Sequence, residues 1–297
     1  MTAAPPHGSF PRATTLSSRR LTLGRWWYAL RAKWRHLRIG RWLTRVLGPQ
    51  YRRSRDLLEL DITYLCNLRC LNCNRSCTQA PEALHLAPAR LRAWVDEWIA
   101  RGLRWRRIRV LGGEPTLHPQ FSEIIAELQR YRHWHPDCAV ELVTNGHGDR
   151  VRKALAELPR TIWVENSHKA GPVQPEFGPF NLAPCDDAAY RHADYRNGCA
   201  IMRECGMGLT PLGYYPCAVA GGIDRVVDAG WGRPHLPDPD DDMLPVVAAS
   251  CALCGRFRDG HYVPRNLRPP LFEARLSPSW IALYARWRDR RRNQAAR

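Results

Sequence analysis

Leu58, Leu60 and Ile62 alternate with Glu59 and Asp61, the period-two pattern of a strand, and the cysteine-rich stretch TYLCNLRCLNCNRSC (63–77) follows at once. Pro88 opens a stretch in which Leu91, Trp94, Val95, Trp98 and Ile99 share one helical face, and Gly102 closes it. RIRVL (107–111) predicts a second strand ending in GGEP. Phe121, Ile124, Ile125 and Leu128 mark the next helix. AVELV (139–143) predicts a third strand, capped by TNG; Val151, Leu155 and Leu158 a further helix; and TIWVE (161–165) a fourth strand, followed by NSHK. Strands and helices alternating at this spacing predict an α/β fold, a parallel sheet with helices on its outer face. Ligands bind such sheets beyond the carboxyl ends of the strands. The cysteine loop, GGEP, TNG and NSHK all follow strand ends, so all four are expected at one rim.

Both flanks differ from this core. The first twenty residues are rich in Pro, Ser and Thr and are expected to be disordered. From Leu21 to Leu47 the pattern is helical: Trp27, Leu30, Trp34 and Leu37 are spaced 3, 4 and 3, with Arg31, Arg35 and Arg38 on another face, and Gly48-Pro49 as the stop. Two readings give this periodicity, a basic helix lying on an anionic membrane surface or a helix packing its Trp stripe on the body with solvated arginines outside. From Pro184 helical patterning fades, and six of the eleven cysteines fall between Cys185 and Cys254. A second, smaller unit built on a hairpin and metal ligands is expected there. The divisions are thus 1–55, 56–184, 185–268 and a basic tail, 269–297.

The formal charge of +17 belongs to the ends. Residues 1–55 hold thirteen Lys/Arg and no Asp/Glu, and 275–297 hold seven Arg against Asp289 alone, which leaves 56–274 at −2. Charge therefore says little about the site. No run approaches the roughly 18 apolar residues of a membrane span, so a cytoplasmic, reducing location is the expectation. Closely spaced cysteines there are metal ligands or catalytic groups rather than disulfides.

Cys66, Cys70 and Cys73 are spaced C-x3-C-x2-C on one loop. Three thiolates suit a [4Fe–4S] cube with one iron left open, whereas tetrahedral zinc generally takes four donors; a zinc loop using Cys77 would leave GGEP unexplained. With GGEP after the next strand, residues 57–170 resemble the radical S-adenosylmethionine enzymes. The resemblance implies a partial (β/α) barrel, truncated against the family's usual six strands because only four are clear. It implies that the open iron chelates the methionine moiety of S-adenosylmethionine, whose reductive cleavage yields a 5′-deoxyadenosyl radical. It assigns Cys66, Cys70 and Cys73 to the cluster and Gly112, Gly113, Glu114 and Pro115 to the methionine ammonium. Asn145, Asn166 and Ser167 stand where ribose or carboxylate is held. The family's aromatic residue before the third cysteine is Asn72 here.

CAIMRECGMGLTPLGYYPC (199–217) with CALC (251–254) resembles the auxiliary-cluster "twitch" extension of some members. Cys205, Cys217, Cys251 and Cys254 are then the ligands of a second cluster, with Cys199 an alternative to Cys205 and structural zinc the competing metal. Thiols left over, among them Cys77, Cys185 and Cys199, are candidate hydrogen donors. The expected function is radical oxidation or epimerisation of a small molecule, by analogy a carbohydrate or aminocyclitol. An external one-electron reductant such as flavodoxin or ferredoxin is implied, and no specific nucleic acid. A peptide-modifying maturase and a non-catalytic iron–sulfur or zinc protein are the alternatives. Residues 1–55 are too short and too uniformly basic for a leader-peptide module, and a binding protein has no use for Glu114.

Overall fold

The computed structural model describes residues 18–169, 171, 178, 180–260 and 272–295; the expectation for the Pro/Ser/Thr-rich start falls mostly outside them. Two N-terminal helices, α1 (Ser18–Arg38) and α2 (Arg41–Leu47), precede β1 (Leu57–Thr63). Then come α3 (Pro88–Ala100), β2 (Arg107–Gly112), α4 (Phe121–Trp134), β3 (Ala139–Thr144), α5 (Asp149–Ala156) and β4 (Trp163–Asn166). The C-terminal part holds α6 (Ile201–Glu204), β5 (Met207–Thr210), β6 (Gly213–Tyr215), α7 (Ala218–Val227), α8 (Leu244–Leu253), α9 (Arg256–Asp259) and α10 (Pro278–Ala295).

The six strands form one open sheet in the order β4-β3-β2-β1-β5-β6, parallel except for β6. In register, Leu58 stands beside Ile108 and Met207, and Leu60 beside Val110 and Leu209. These side chains point to one face, where Trp94, Val95 and Trp98 of α3 and Ile124, Ile125 and Leu128 of α4 complete the main core. Burying each side chain of this size stabilises by about 1.5–3 kcal/mol. The alternate positions, Glu59, Asp61, Arg109 and Glu141, line the opposite, inner face. The β5–β6 hairpin falls within 209–215, where Pro211 and Gly213 predict a turn; the turn itself is Pro211-Leu212, with Gly213 opening β6 opposite Thr210, and the hairpin extends the same sheet beyond β1.

Helices α7, α8 and α10 stand where helical patterning fades in the sequence. The reason is burial: every residue of α7 from Ala218 to Val226 is covered, so no polar face interrupts it. With Phe257, Trp280, Leu283 and Tyr284 it builds a second core.

The docking reading of the Trp helix is corrected. The helix breaks at Ile39–Gly40, and Arg35, Arg38 and Ile39 are the buried residues while Trp27, Leu30, Trp34 and Leu37 face outward. Arg35 is held by carbonyls: it donates through Nη2 to Gly198 O at 2.6 Å and Phe257 O at 3.0 Å. Arg38 donates to Gly48 O at 2.7 Å. Buried carbonyls that lack other donors favour a guanidinium over an indole. Among the described residues no helix is long and apolar enough to cross a membrane.

Candidate metal centre and cofactor site

The loop after β1 is fastened from several directions. Gly113 N donates to Thr63 O at 2.7 Å and Glu114 N to Leu65 O at 2.8 Å, so the GGEP segment runs against the start of the cysteine loop. A Cβ on Gly113 would meet Leu65 O at 2.2 Å; only glycine permits this approach. Asn67 donates to His147 O at 2.6 Å and accepts from Asn145 Nδ2 at 2.8 Å, which ties the loop to the turn after β3. Asn72, in the left-handed region at φ 56°, donates to Glu273 O and accepts from Arg275 N, both at 3.0 Å. Arg75 reaches beneath the sheet to Asp61 at 3.0 Å and Glu59 at 3.2 Å. Burial pushes the Asp61 carboxyl up to about 6 against the pull of Arg75. Arg225 of α7 donates to Arg75 O at 2.9 Å and Ala80 O at 2.8 Å, and Ser76 pairs with Tyr284 of α10 at 2.8 Å.

Within this frame the three thiols share one electrostatic neighbourhood. Burial pushes Cys66 up to about 11, with Cys73 and Cys70 adding to the effect. The Cys77 thiol, hydrogen-bonded to Cys73, brings Cys73 down to about 6 and is itself pushed well up. Asn145 Nδ2 stands 4.0 Å from Cys66 Sγ. Lys169 acts on both Cys70 and Cys73. Glu114, fully buried, links two strand ends: Oε1 accepts from Thr116 Oγ1 at 2.7 Å, Thr144 Oγ1 at 2.9 Å and Thr116 N at 3.3 Å, while Oε2 accepts from Asn145 N at 2.8 Å. With about two acceptor positions on each carboxylate oxygen, Oε1 is filled, while Oε2 accepts from Asn145 N alone among the described residues and keeps one.

The second cysteine set divides differently from its spacing. Burial pushes Cys217 and Cys251 well up and Cys254 up to about 12, and for each of them Cys199 is the next largest influence. Cys205 is pushed up to about 12 by burial and then by Glu59, with Arg109 and Arg75 opposing and Cys199 adding a smaller push. Its thiol therefore belongs to the surroundings of the sheet's inner face. Beside the Cys199 group lies Arg35, whose buried Nε–H finds no hydrogen-bond partner among the described residues.

A sequence model of the Radical SAM superfamily matches residues 60–210. The chain belongs to the radical SAM superfamily. Among curated relatives, the GTP 3′,8-cyclase of Nitrobacter hamburgensis is 29% identical over 116 residues, 39% of this chain and 33% of that protein. The GTP 3′,8-cyclase of Actinobacillus succinogenes is 34% identical over 112 residues, 34% and 29% of the two chains. The radical SAM chain thus spans about a third of the length of these relatives. Of solved structures, BtrN in complex with AdoMet and 2-DOIA is similar at 13% identity and a TM-score of 0.39, covering 66% of this chain and 83% of that one. Streptococcus suis SuiB bound to S-adenosylmethionine is similar at 14% identity and a TM-score of 0.30, over 41% and 27%.

Membership in the radical SAM superfamily implies a [4Fe–4S] cluster and S-adenosylmethionine, and the donor chemistry fits both. Among the described residues no three His, Cys, Asp or Glu side chains stand close enough to share one metal ion; a cube distributes its thiolates over several irons and takes donors set further apart. The rim gathers Cys66, Cys70, Cys73, Cys77, Gly112 to Pro115 and Asn145. Asn166 and Ser167 support that rim from behind: Asn166 packs under Gly146, and Ser167 donates to Thr144 O at 2.8 Å. Cys185 stands apart, exposed beside Ser279. Asn67 and Arg75 carry no spacing signal, and sequence reasoning passes over them; Arg35 enters it only as part of a solvated arginine face and Lys169 only as the end of NSHK.

Proposed function

We propose that the chain is a radical SAM enzyme that cleaves S-adenosylmethionine at a cluster held by Cys66, Cys70 and Cys73 and takes a hydrogen atom from a small polar substrate. The observation that carries this reading is the hydrogen-bonded rim, in which Glu114, Thr144, Asn145 and Asn67 join three strand ends around the thiols. When bound, cluster and cofactor supply a one-electron cleavage to methionine and a hydrogen-abstracting carbon radical. The protein's own part is to position. The free acceptor site of Glu114 Oε2 suits the methionine ammonium, and Lys169 offers positive charge beside the thiolates. Superfamily members typically use an external reductant, and a flavodoxin or ferredoxin is the expected donor.

The inner face of the sheet suits a substrate rich in hydroxyl or amino groups, such as a carbohydrate or aminocyclitol. Arg109 crosses it, pairing with Glu59 at 3.0 Å, Glu141 at 3.2 Å and Glu165 at 2.5 Å. We assign the second ligand set to Cys199, Cys217, Cys251 and Cys254, supported by their shared surroundings and by the nearby Arg35 guanidinium, whose positive charge suits an anionic cluster. A second cluster favours net oxidation, because the substrate radical must lose an electron. Cys205, left out of this set, replaces Cys199 as a candidate spare thiol, under the influence of Glu59 and Arg109 of the inner face.

Equilibrium dialysis of the reconstituted protein tests the cofactor site. Glu114→Gln removes a charge-assisted contact and is expected to weaken S-adenosylmethionine binding by roughly tenfold or more. Unchanged affinity with an intact cluster would remove this segment from the site.

A further inference from the structure

The N-terminal helices turn their greasy side away from the protein. Trp27 is 61% exposed and Trp34 56%, with Trp26, Leu30 and Leu37 beside them; α2 adds Trp42 at 71%, Val46 and Leu47. At 100° per residue, Trp26, Trp27, Leu30, Trp34 and Leu37 fill an arc of about 100°. Arg35 and Arg38, on the side toward the body, are buried and bonded to it, so α1 is fixed with this arc outward. A monomer seldom leaves so many large apolar side chains together in water without a surface to cover them.

What would cover them is decided by charge and residue type. Exposed Arg31 and Lys33 lie on the two edges of the arc, and Arg41 and Arg45 on α2 are exposed too. Residues 1–55 contain no acidic residue to offset them. Three indoles in an apolar arc bordered by cations suit the boundary between acyl chains and anionic headgroups, where Trp is enriched and each basic residue adds attraction. A protein groove would have to be both apolar and acidic to match; a membrane containing anionic phospholipids is both by nature. We propose that α1 and α2 form an interfacial anchor that lays the enzyme on an anionic membrane surface, without crossing it. Arg35 links the anchor helix to the body, since it donates to the carbonyls of Gly198, next to Cys199, and Phe257. The anchor does not depend on the proposed chemistry.

Flotation of the full reconstituted chain with vesicles tests it, using pure phosphatidylcholine and phosphatidylcholine mixed with phosphatidylglycerol. The chain is expected to float with the anionic vesicles, with a blue shift of Trp emission, and to partition at least roughly tenfold less onto neutral ones. Trp27→Ser/Leu30→Ser/Trp34→Ser is expected to lose binding by on the order of tenfold or more while folding, iron content and S-adenosylmethionine cleavage stay as in the parent, because none of these side chains enters the site. Equal binding by parent and variant, or no flotation of the parent, would overturn the anchor. So would a parent dimer, seen by sedimentation without lipid, that the same substitutions dissolve: the face would then be covered by a second copy of the chain.

Discussion

Replacing Cys66, Cys70 and Cys73 together by alanine is expected to leave about half of the iron in the reconstituted protein and none of its S-adenosylmethionine cleavage. The parent should hold about eight irons per chain if both cysteine sets bind cubes, and the triple variant about four. The two sets are separable because they draw on different elements: the first on the loop after β1, the second on residues preceding α6 and α7 and at the C-terminal end of α8. In the triple variant, Cys199→Ala should then remove or destabilise the remaining cluster, whereas Cys205→Ala should leave it, since Cys205 is influenced more by Glu59 than by any thiol. Iron and sulfide analysis with electron paramagnetic resonance reads both results. Iron lost with Cys205 rather than Cys199 would reverse the assignment, and zinc retained in place of iron would make the second site structural.

Arg75→Met is expected to be the most destabilising single substitution in the cysteine loop. The Asp61 and Arg75 side chains are 0% and 3% exposed, and Glu59 is buried beside them. Removing the cation strands a buried carboxylate, for which the loss is about 3–5 kcal/mol, a large share of the roughly 5–15 kcal/mol that holds a domain together. A melting temperature lower by on the order of 10 °C follows, together with poor cluster uptake, because Arg75 fixes the loop two residues after Cys73. Asp61→Asn/Arg75→Met removes both charges and should be less destabilised than the sum of its parts; Glu59 retains Arg109. Unaltered melting and iron content in Arg75→Met would show that the loop does not depend on this pair.

Much of the rim was legible because it rests on local periodicity. Strands β1 to β4 and their strand-end motifs fall where alternation and turn residues put them, and the sheet stays open, as four clear strands suggest. What was not legible depends on partners. The stripe of Trp27, Leu30, Trp34 and Leu37 reveals an apolar face but not what lies against it, and the arginines opposite turned out to be the buried side. The resemblance assigns GGEP to the methionine ammonium, yet in the fold Gly113 is needed first for the approach to Leu65. Spacing could not choose between Cys199 and Cys205, because they are six residues apart around the short α6 and only the fold points them to different surroundings. Asn72 stands where an aromatic residue was expected, and its amide fastens the loop to Glu273 and Arg275, contacts about 200 positions away that no local pattern encodes.

The central claim is that the thiols on this rim hold a cluster that cleaves S-adenosylmethionine. Anaerobic incubation of the iron- and sulfide-reconstituted chain with S-adenosylmethionine and a low-potential reductant, followed by chromatography of the nucleosides, tests it most directly. Formation of 5′-deoxyadenosine that depends on reductant and disappears in the Cys66/Cys70/Cys73 triple variant is the predicted result. A chain that carries its full iron complement, binds S-adenosylmethionine and still releases no 5′-deoxyadenosine, with or without candidate substrates, would contradict it.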